Sequence, residues 1–370
     1  MSKSTGFALR GALGAMLLAA LSIAPLPAAA AQGPQESPRI PFTQRYQAVH
    51  HGGIVRAANS AITCRTPKSP SAASCSAIRS GADGANSDYD MFYVDLDNDP
   101  NTYNSSRAEL TLPENSRVRY ARLYWGGNLR VGEQKPPKDN GRVLIAEPGG
   151  RYQEVLADTR VAHRTADGSD AYQASADITP LVRQSGSGLY TVAQINVAMG
   201  HSKVGSWGGW TLVVAYENSA EPLRHISVWD GFETLDADRK SQQLSLSGLR
   251  IPAGAGGRAG VVSYDGDRGA KGDSVSVTAS GGAVGSTGKA LALTNSANPV
   301  SDVMNSTIST AGSPAIKRQP AHVNTLGYDS DVFDIKPALG AGGSTLNFRF
   351  NAENLGYFLG VLFLQADSRG

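Results

Sequence analysis

Short apolar runs, each cut off by turn residues, set the character of this chain. Residues 91–94, 118–125, 189–197, 210–216 and 226–229 are rich in β-branched and aromatic side chains and end in Gly or Asp clusters, the pattern of β-strands. Turn dipeptides such as Pro148-Gly149, Asp167-Gly168 and Asp265-Gly266 separate them. Sustained helical periodicity is all but missing. Two short turns, at 177–182 and 334–339, each join a capping Asp (Asp177, Asp334) to a following Pro. Gly and Pro abundance with few aromatics also occurs in disordered chains, but regular apolar runs bounded by turns predict a packed all-β protein.

The runs come in the same order twice. SRAELTLPENSRVRYARLYWGG from Ser106 is answered by SQQLSLSGLRIPAGAGGRAGVVSYDGD from Ser241, and SADITPLVRQSGSGLYTVAQI from Ser175 by SDVFDIKPALGAGGSTLNFRF from Ser330. Each half closes on its most apolar run, WTLVVAYEN from Trp210 and YFLGVLFLQ from Tyr357. The order predicts two tandem jelly-roll-like β-sandwich modules related by internal duplication, at 89–222 and 223–370. Before them, 32–88 reads as a flexible Pro-rich leader followed by an N-terminal hairpin with a disulfide loop.

Residues 1–31 read as a secretory signal: Lys3 and Arg10 start it, 11–24 is apolar, and Pro27 to Ala31 offers small residues for cleavage. The apolar run is too short for a spanning helix. The mature chain is therefore expected to be secreted, with no membrane span after signal removal. With Lys3 and Arg10 gone the net charge falls from +2 to zero. The remaining Lys and Arg form no stripe, so nucleic acid is set aside as a partner. The two cysteines, Cys64 and Cys75, both fall in the exported part. An oxidising compartment predicts a disulfide between them, worth roughly 2–3 kcal/mol for so short a loop.

The phrases FYVDLDNDPNTYNSS, ARLYWGG, GGWTLVVAYENSAEPLRHISVWDGF, YDGDRGAKGDS and NTLGYDSDVFDI carry a resemblance. The chain resembles, over about residues 59–366, the N-terminal module of large secreted or cell-surface bacterial proteins, adhesin- or fimbrial-like and best represented in actinobacteria. In those relatives the module precedes immunoglobulin-like or isopeptide-forming repeats. The resemblance implies a surface or extracellular assembly setting and supplies no catalytic residues. No such repeats and no LPxTG-like signal follow here, so cell-wall association is an expectation from the resemblance alone.

The candidate chemistry is acidic. Asp95, Asp97 and Asp99, followed by Asn104, place oxygen atoms along one turn, which suits a hard cation such as calcium with its six to eight oxygen ligands. The alternative is a polar loop whose Asp and Asn side chains cap their own backbone. The EF-hand Gly and closing Glu are absent. Asp265, Asp267 and Asp273 form a second candidate calcium set, in which Arg268 and Lys271 make ion pairing an equal reading. Asp334 reads as a helix cap.

Nucleophilic catalysis finds little footing. Gly200-His201-Ser202-Lys203-Val204 lacks the closing Gly of a nucleophile elbow, and His50-His51-Gly52-Gly53 has no partner serine motif. Trp125 and Trp210 read as core anchors, whereas Trp207, between Ser206 and Gly208, is kept as a sugar-stacking contact. The expectation is a secreted, non-enzymatic protein of cell-surface structure, adhesion or matrix binding, stabilised by calcium, whose partner is a surface polymer, glycan or surface protein. The rivals are a carbohydrate-binding module and a glycoside hydrolase or lyase on a jelly-roll scaffold; fold alone does not choose among them.

Overall fold

The computed structural model describes residues 1–2, 35–97, 99–166, 168–282, 288–312, 317–353 and 356–369. The predicted signal, 1–31, lies outside the described residues but for Met1 and Ser2. Residues 33–370 form one compact unit. In chain order its strands are β1 (Glu36–Ser37), β2 (Ile40–Ser60), β3 (Ile62–Pro67), β4 (Tyr89–Tyr93), β5 (Ser105–Leu110) and β6 (Arg117–Asn128). Then come β7 (Arg142–Ala146), β8 (Gln153–Leu156), β9 (Val161–Ala166), β10 (Ser169–Asp177), β11 (Gly188–Ala193) and β12 (Gly208–Glu217). The next five are β13 (Leu223–Leu235), β14 (Ser241–Ile251), β15 (Gly257–Tyr264), β16 (Asp273–Ser280) and β17 (Leu291–Ala292). The last are β18 (Ile308–Thr310), β19 (Arg318–Gln319), β20 (Tyr328–Asp334), β21 (Gly343–Ala352) and β22 (Tyr357–Asp367).

The all-β expectation holds, in the form of a layered sandwich. An 11-stranded sheet runs β1-β9-β10-β6-β12-β2-β13-β22-β15-β20-β18; a five-stranded sheet runs β19-β5-β11-β7-β8, and a four-stranded one β14-β21-β16-β17. The large sheet folds on itself about β2 and β13, so that its two arms face each other. Thr211 of β12 meets Tyr328 of β20 hydroxyl to hydroxyl at 2.7 Å, and Gln173 of β10 donates to the carbonyl of Gly231 at 2.9 Å. Between the arms lies a core of Tyr124, Trp207, Phe232, Tyr264 and Phe358. One outer face packs on the five-stranded sheet, through Trp125, Tyr190, Trp210 and their neighbours. The other packs on the four-stranded sheet, through Phe333, Phe348 and Leu362.

Two-sided burial explains the most apolar runs. In β22, Leu359, Leu362 and Leu364 face one core while Phe358, Val361 and Phe363 face another. In β12, Trp210, Leu212 and Val214 alternate with Val213 and Ala215 in the same way. A strand with a core on each side needs apolar residues at consecutive positions. Each such side chain contributes roughly 1.5–3 kcal/mol on burial. By contrast β16, DSVSVTAS, buries alternate residues only, as a strand wet on one face must.

The two halves carry the same strand order: β10-β6-β12 in one arm corresponds to β20-β15-β22 in the other, and β5-β11-β7 to β14-β21-β16. The short turns correspond as well. Asp177 accepts from the Thr179 amide at 2.9 Å and Asp334 from the Lys336 amide at 2.8 Å, each just before a Pro.

The N-terminal segment differs from the expected leader and hairpin. Pro41 already lies inside β2, and β2 folds onto no neighbour in sequence. Its first part, Ile40 to His51, pairs with β13, and its second, Gly52 to Ser60, pairs with β12. The strand thus stitches the arms together, and it changes partner at His51-Gly52. There Gly52 has φ +133, and a Cβ would stand 2.1 Å from the Tyr216 carbonyl oxygen; only glycine fits. The alternation in 42–64 was a true strand signal, but partners some 170 residues away leave no local mark. Among the described residues no helix is long and apolar enough to cross a membrane.

Candidate binding site

The acidic loop between β4 and β5 is held by its own side chains. Asp95 accepts from Ser105 Oγ at 2.9 Å, and Ser105 Oγ in turn accepts from the Leu96 amide at 2.8 Å and the Asp97 amide at 3.2 Å. Asp97 Oδ1 accepts from the Asp99 amide at 3.1 Å and Thr102 Oγ1 at 2.9 Å; its Oδ2 accepts from the Tyr152 hydroxyl. Asp99 closes a further turn onto the Asn101 amide at 2.9 Å. Burial works to raise the Asp97 carboxyl, but Tyr152 and the other donors outweigh it and hold it below its usual value. The loop is therefore an anion set in a cup of donors.

Asn104 does not join Asp95, Asp97 and Asp99. It is buried and bonds both ways to the backbone of Ile195, at 2.8 and 3.0 Å. Among the described residues, no three or more His, Cys, Asp or Glu are grouped to hold a metal ion.

Asp97 and Asp99 instead form one wall of an open cavity of about 790 Å³ on the five-stranded sheet. Its floor is a cross-strand row: Arg107 of β5 pairs with Thr191 of β11, and Thr191 with Ala146 of β7. The far wall is the turn from Glu147 to Tyr152, where Gly149 takes φ +74. Arg107 Nε is buried and has no hydrogen-bond partner. Burial first, and the bond to Asp97 second, raise the Tyr152 hydroxyl above its ordinary value, so it stays a donor. Two guanidinium side chains (Arg107, Arg151), three carboxylates (Asp97, Asp99, Glu147), the hydroxyls of Tyr152 and Thr191 and the apolar side chain of Leu189 thus line one space, a combination suited to a polar, many-hydroxyl ligand. The acidic wall is continuous in sequence, in Asp97 and Asp99. Arg107 and Thr191 are brought to it by strand register, and Tyr152 by the turn after β7, so none of the three is marked by local sequence.

Asp265, Asp267 and Asp273 share a loop region but not a ligand set. Asp265 and Asp267 both accept from the Asn86 side-chain amide, at 3.1 and 3.3 Å, and Asp267 also from the Asn86 backbone at 3.1 Å. Asp273 accepts from the amides of Val303 and Met304, at 2.5 and 2.9 Å. Three further acids join them in the interior: Asp302, Asp329 and Asp331. Asp329 and Asp331 accept from the Thr307 and Ser309 amides, both at 2.9 Å, and so tie β18 to β20. Burial raises Asp273 and Asp331 to about 6 and lifts Asp329 well above the usual carboxylate range, with Asp331 adding to it. The Asp267 carboxyl, enclosed although the residue is partly exposed, is pushed up to about 7, again chiefly by burial. Burial thus shifts the titration of these acids upward: Asp273 and Asp331 keep their protons only below about pH 6, and Asp267 holds its proton up to about pH 7.

Trp207 is a correction. It is 0 % exposed, with its ring 5.6 Å from Tyr264 and 5.3 Å from Phe358, centroid to centroid. No face is open for a sugar. Its Ser and Gly neighbours suggested a loop, but they lie where the two arms of the large sheet close on each other. The disulfide expectation holds: Cys64 and Cys75 are bonded, with 5.5 Å between their Cα atoms.

A family model described as "Protein of unknown function (DUF3344)" matches residues 82–364. The chain belongs to the DUF3344 family. That match takes in strands of both arms and of both outer sheets, while β1, β2 and β3 precede it. No curated protein matches the chain. Among solved structures, a recombinant N-glycanase F (PNGase F) is similar at 11 % identity, covering 86 % of this chain and 96 % of that one, with a TM-score of 0.19. PNGase F described as a glycosylasparaginase from Flavobacterium meningosepticum gives 9 % identity, 90 % and 96 % coverage, and a TM-score of 0.17. Likeness that weak carries no functional argument.

Proposed function

We propose that this DUF3344 chain is a secreted, non-enzymatic β-sandwich protein of cell-surface structure, adhesion or matrix contact, and that it holds a glycan in the cavity beneath the Asp97 loop. The observation that carries this reading is Arg107. Arg107 lines the floor of a cavity walled by acceptors and hydroxyls, and its Nε takes no partner from the protein, so the guanidinium keeps donor capacity for a ligand. The donors around Asp97 keep it ionised, which suits it to accept hydrogen bonds from a polar ligand. The signal-like leader and the Cys64–Cys75 bond support export, and the sequence resemblance supports a surface setting. The matching strand order of the two arms supports an origin by duplication.

The test is co-sedimentation of the mature protein with whole cells and insoluble cell-wall glycans, beside Thr191→Arg, which fills the cavity from its floor. Binding by the parent and its loss in the variant, with an unchanged melting temperature, is the expected result. Equal sedimentation of the two, or none by the parent, would sink the reading.

A further inference from the structure

The solvent side of the four-stranded sheet is an array of uncharged hydrogen-bonding groups. Inward, β14, β21 and β16 bury Leu244, Leu246, Phe348, Phe350, Val275 and Val277. Outward, register sets their polar residues in rows: Asn351 lies between Ser241 and Ser274, and Asn347 between Ser245 and Thr278. Thr345 lies between Ser247 and Ser280, while Arg349, between Gln243 and Ser276, supplies the one charge in those rows. With strands about 4.8 Å apart and same-face residues about 6.8 Å apart, the array covers roughly 10 by 20 Å.

Three features separate this face from an ordinary wet one. Its groups are already ordered among themselves: Ser245 donates to Asn347 at 2.7 Å, Asn347 to Ser280 at 3.3 Å and Asn351 to Ser274 at 3.1 Å. The edge strand β14 has no charge from Ser241 to Leu249, although exposed edges are normally guarded by charged side chains. The corresponding strands of the other half carry Arg107, Glu109 and Arg142. Finally, the array runs into a shallow cavity of about 380 Å³ bounded by Lys240 and Glu353.

We propose that this face docks a neutral, extended polysaccharide chain. The proposal rests on the reading of the protein as a glycan binder but places a second contact on the opposite outer sheet. Charge selects the occupant. An anionic polymer would find Arg349 in the rows and, at their end, Lys240 beside the opposing Glu353, and an apolar partner would leave a field of hydroxyls and amides unpaired. A neutral polyol chain offers donors and acceptors along its length and meets groups that need little ordering on binding.

The experiment is co-sedimentation with cellulose and with chitin at low and high salt. It compares the parent with the double variant Asn347→Glu/Thr278→Glu, with Ser276→Lys, and with Thr191→Arg. The parent should bind at least one of these polymers with little dependence on salt. The array variants should lose affinity roughly tenfold, about 1.4 kcal/mol, at an unchanged melting temperature. Undiminished binding by both array variants would overturn the proposal, as would failure of the parent to bind either polymer. Loss in Thr191→Arg alone would leave the cavity as the glycan site and overturn the array; loss in the array variants alone would do the reverse.

Discussion

Replacing Asp273 by Asn should remove a pH dependence that the fold builds in. The Asp273 carboxyl is buried, and its Oδ1 already accepts from the Val303 and Met304 amides. An Asn side chain keeps that acceptor and carries no charge. Burial, helped by nearby Asp302 and opposed by the two amides, carries the group from its ordinary 3.8 to about 6. Between about pH 4 and pH 6 the folded protein therefore holds a proton that the unfolded chain has released. Stability from this group is full below the unfolded value and is lost as pH rises through the folded one. At about 1.4 kcal/mol per unit the window is worth roughly 3 kcal/mol.

Other groups also tilt the total. His163, raised by Glu36 and Asp170 against its burial, acts in the same sense; His225 and His322, lowered by burial, act in the opposite one. The quantity to measure is thus the difference between parent and Asp273→Asn in urea unfolding, from about pH 4.5 to pH 8. The variant should gain roughly 2–3 kcal/mol relative to the parent across that range, with the change complete by about pH 7. A difference that does not vary with pH would refute the reasoning.

Trp207→Ala should cost about 3–5 kcal/mol of stability, as a cavity between the arms of the large sheet demands; an unchanged urea midpoint would put the ring back on the surface. Calcium gives a sharper test of the acidic loop. An extracellular-type site, with a dissociation constant of about 10⁻⁴–10⁻³ M, would stabilise the protein by roughly 1.4–2.7 kcal/mol at about 10 mM calcium. Because Asp95, Asp97 and Asp99 already accept from protein donors, the loop is predicted to give no such shift, and a rise of that size would show that the ion displaces those donors.

What the sequence revealed was what one strand at a time can reveal. The β-rich runs, the Asp177 and Asp334 turns and the Cys64–Cys75 bond were all legible because each is set by local chemistry or by spacing. The run at 210–216 gave its strand but not its place, since two-sided burial looks the same in a closing strand and in the middle of a folded sheet. Trp207 misled because small flanking residues mark both loops and close backbone approaches. The acidic wall of the cavity was visible in DLDND, while its floor was not: Arg107, Thr191 and Ala146 are neighbours only through strand pairing. Likewise Asp273 of β16, Asp302 of a loop and Asp329 and Asp331 of β20 come together only in the fold, and burial rather than composition makes them unusual acids.

The most direct test of a glycan site beneath the Asp97 loop is the binding isotherm of Arg107→Ala against the glycan fraction that the parent sediments, with melting temperature as control. A hydrogen bond to a charged group is worth about 1.5–3 kcal/mol, so affinity should fall roughly tenfold to a hundredfold while the fold stays intact. Affinity equal to the parent's would show that Arg107 faces no ligand and would contradict the account.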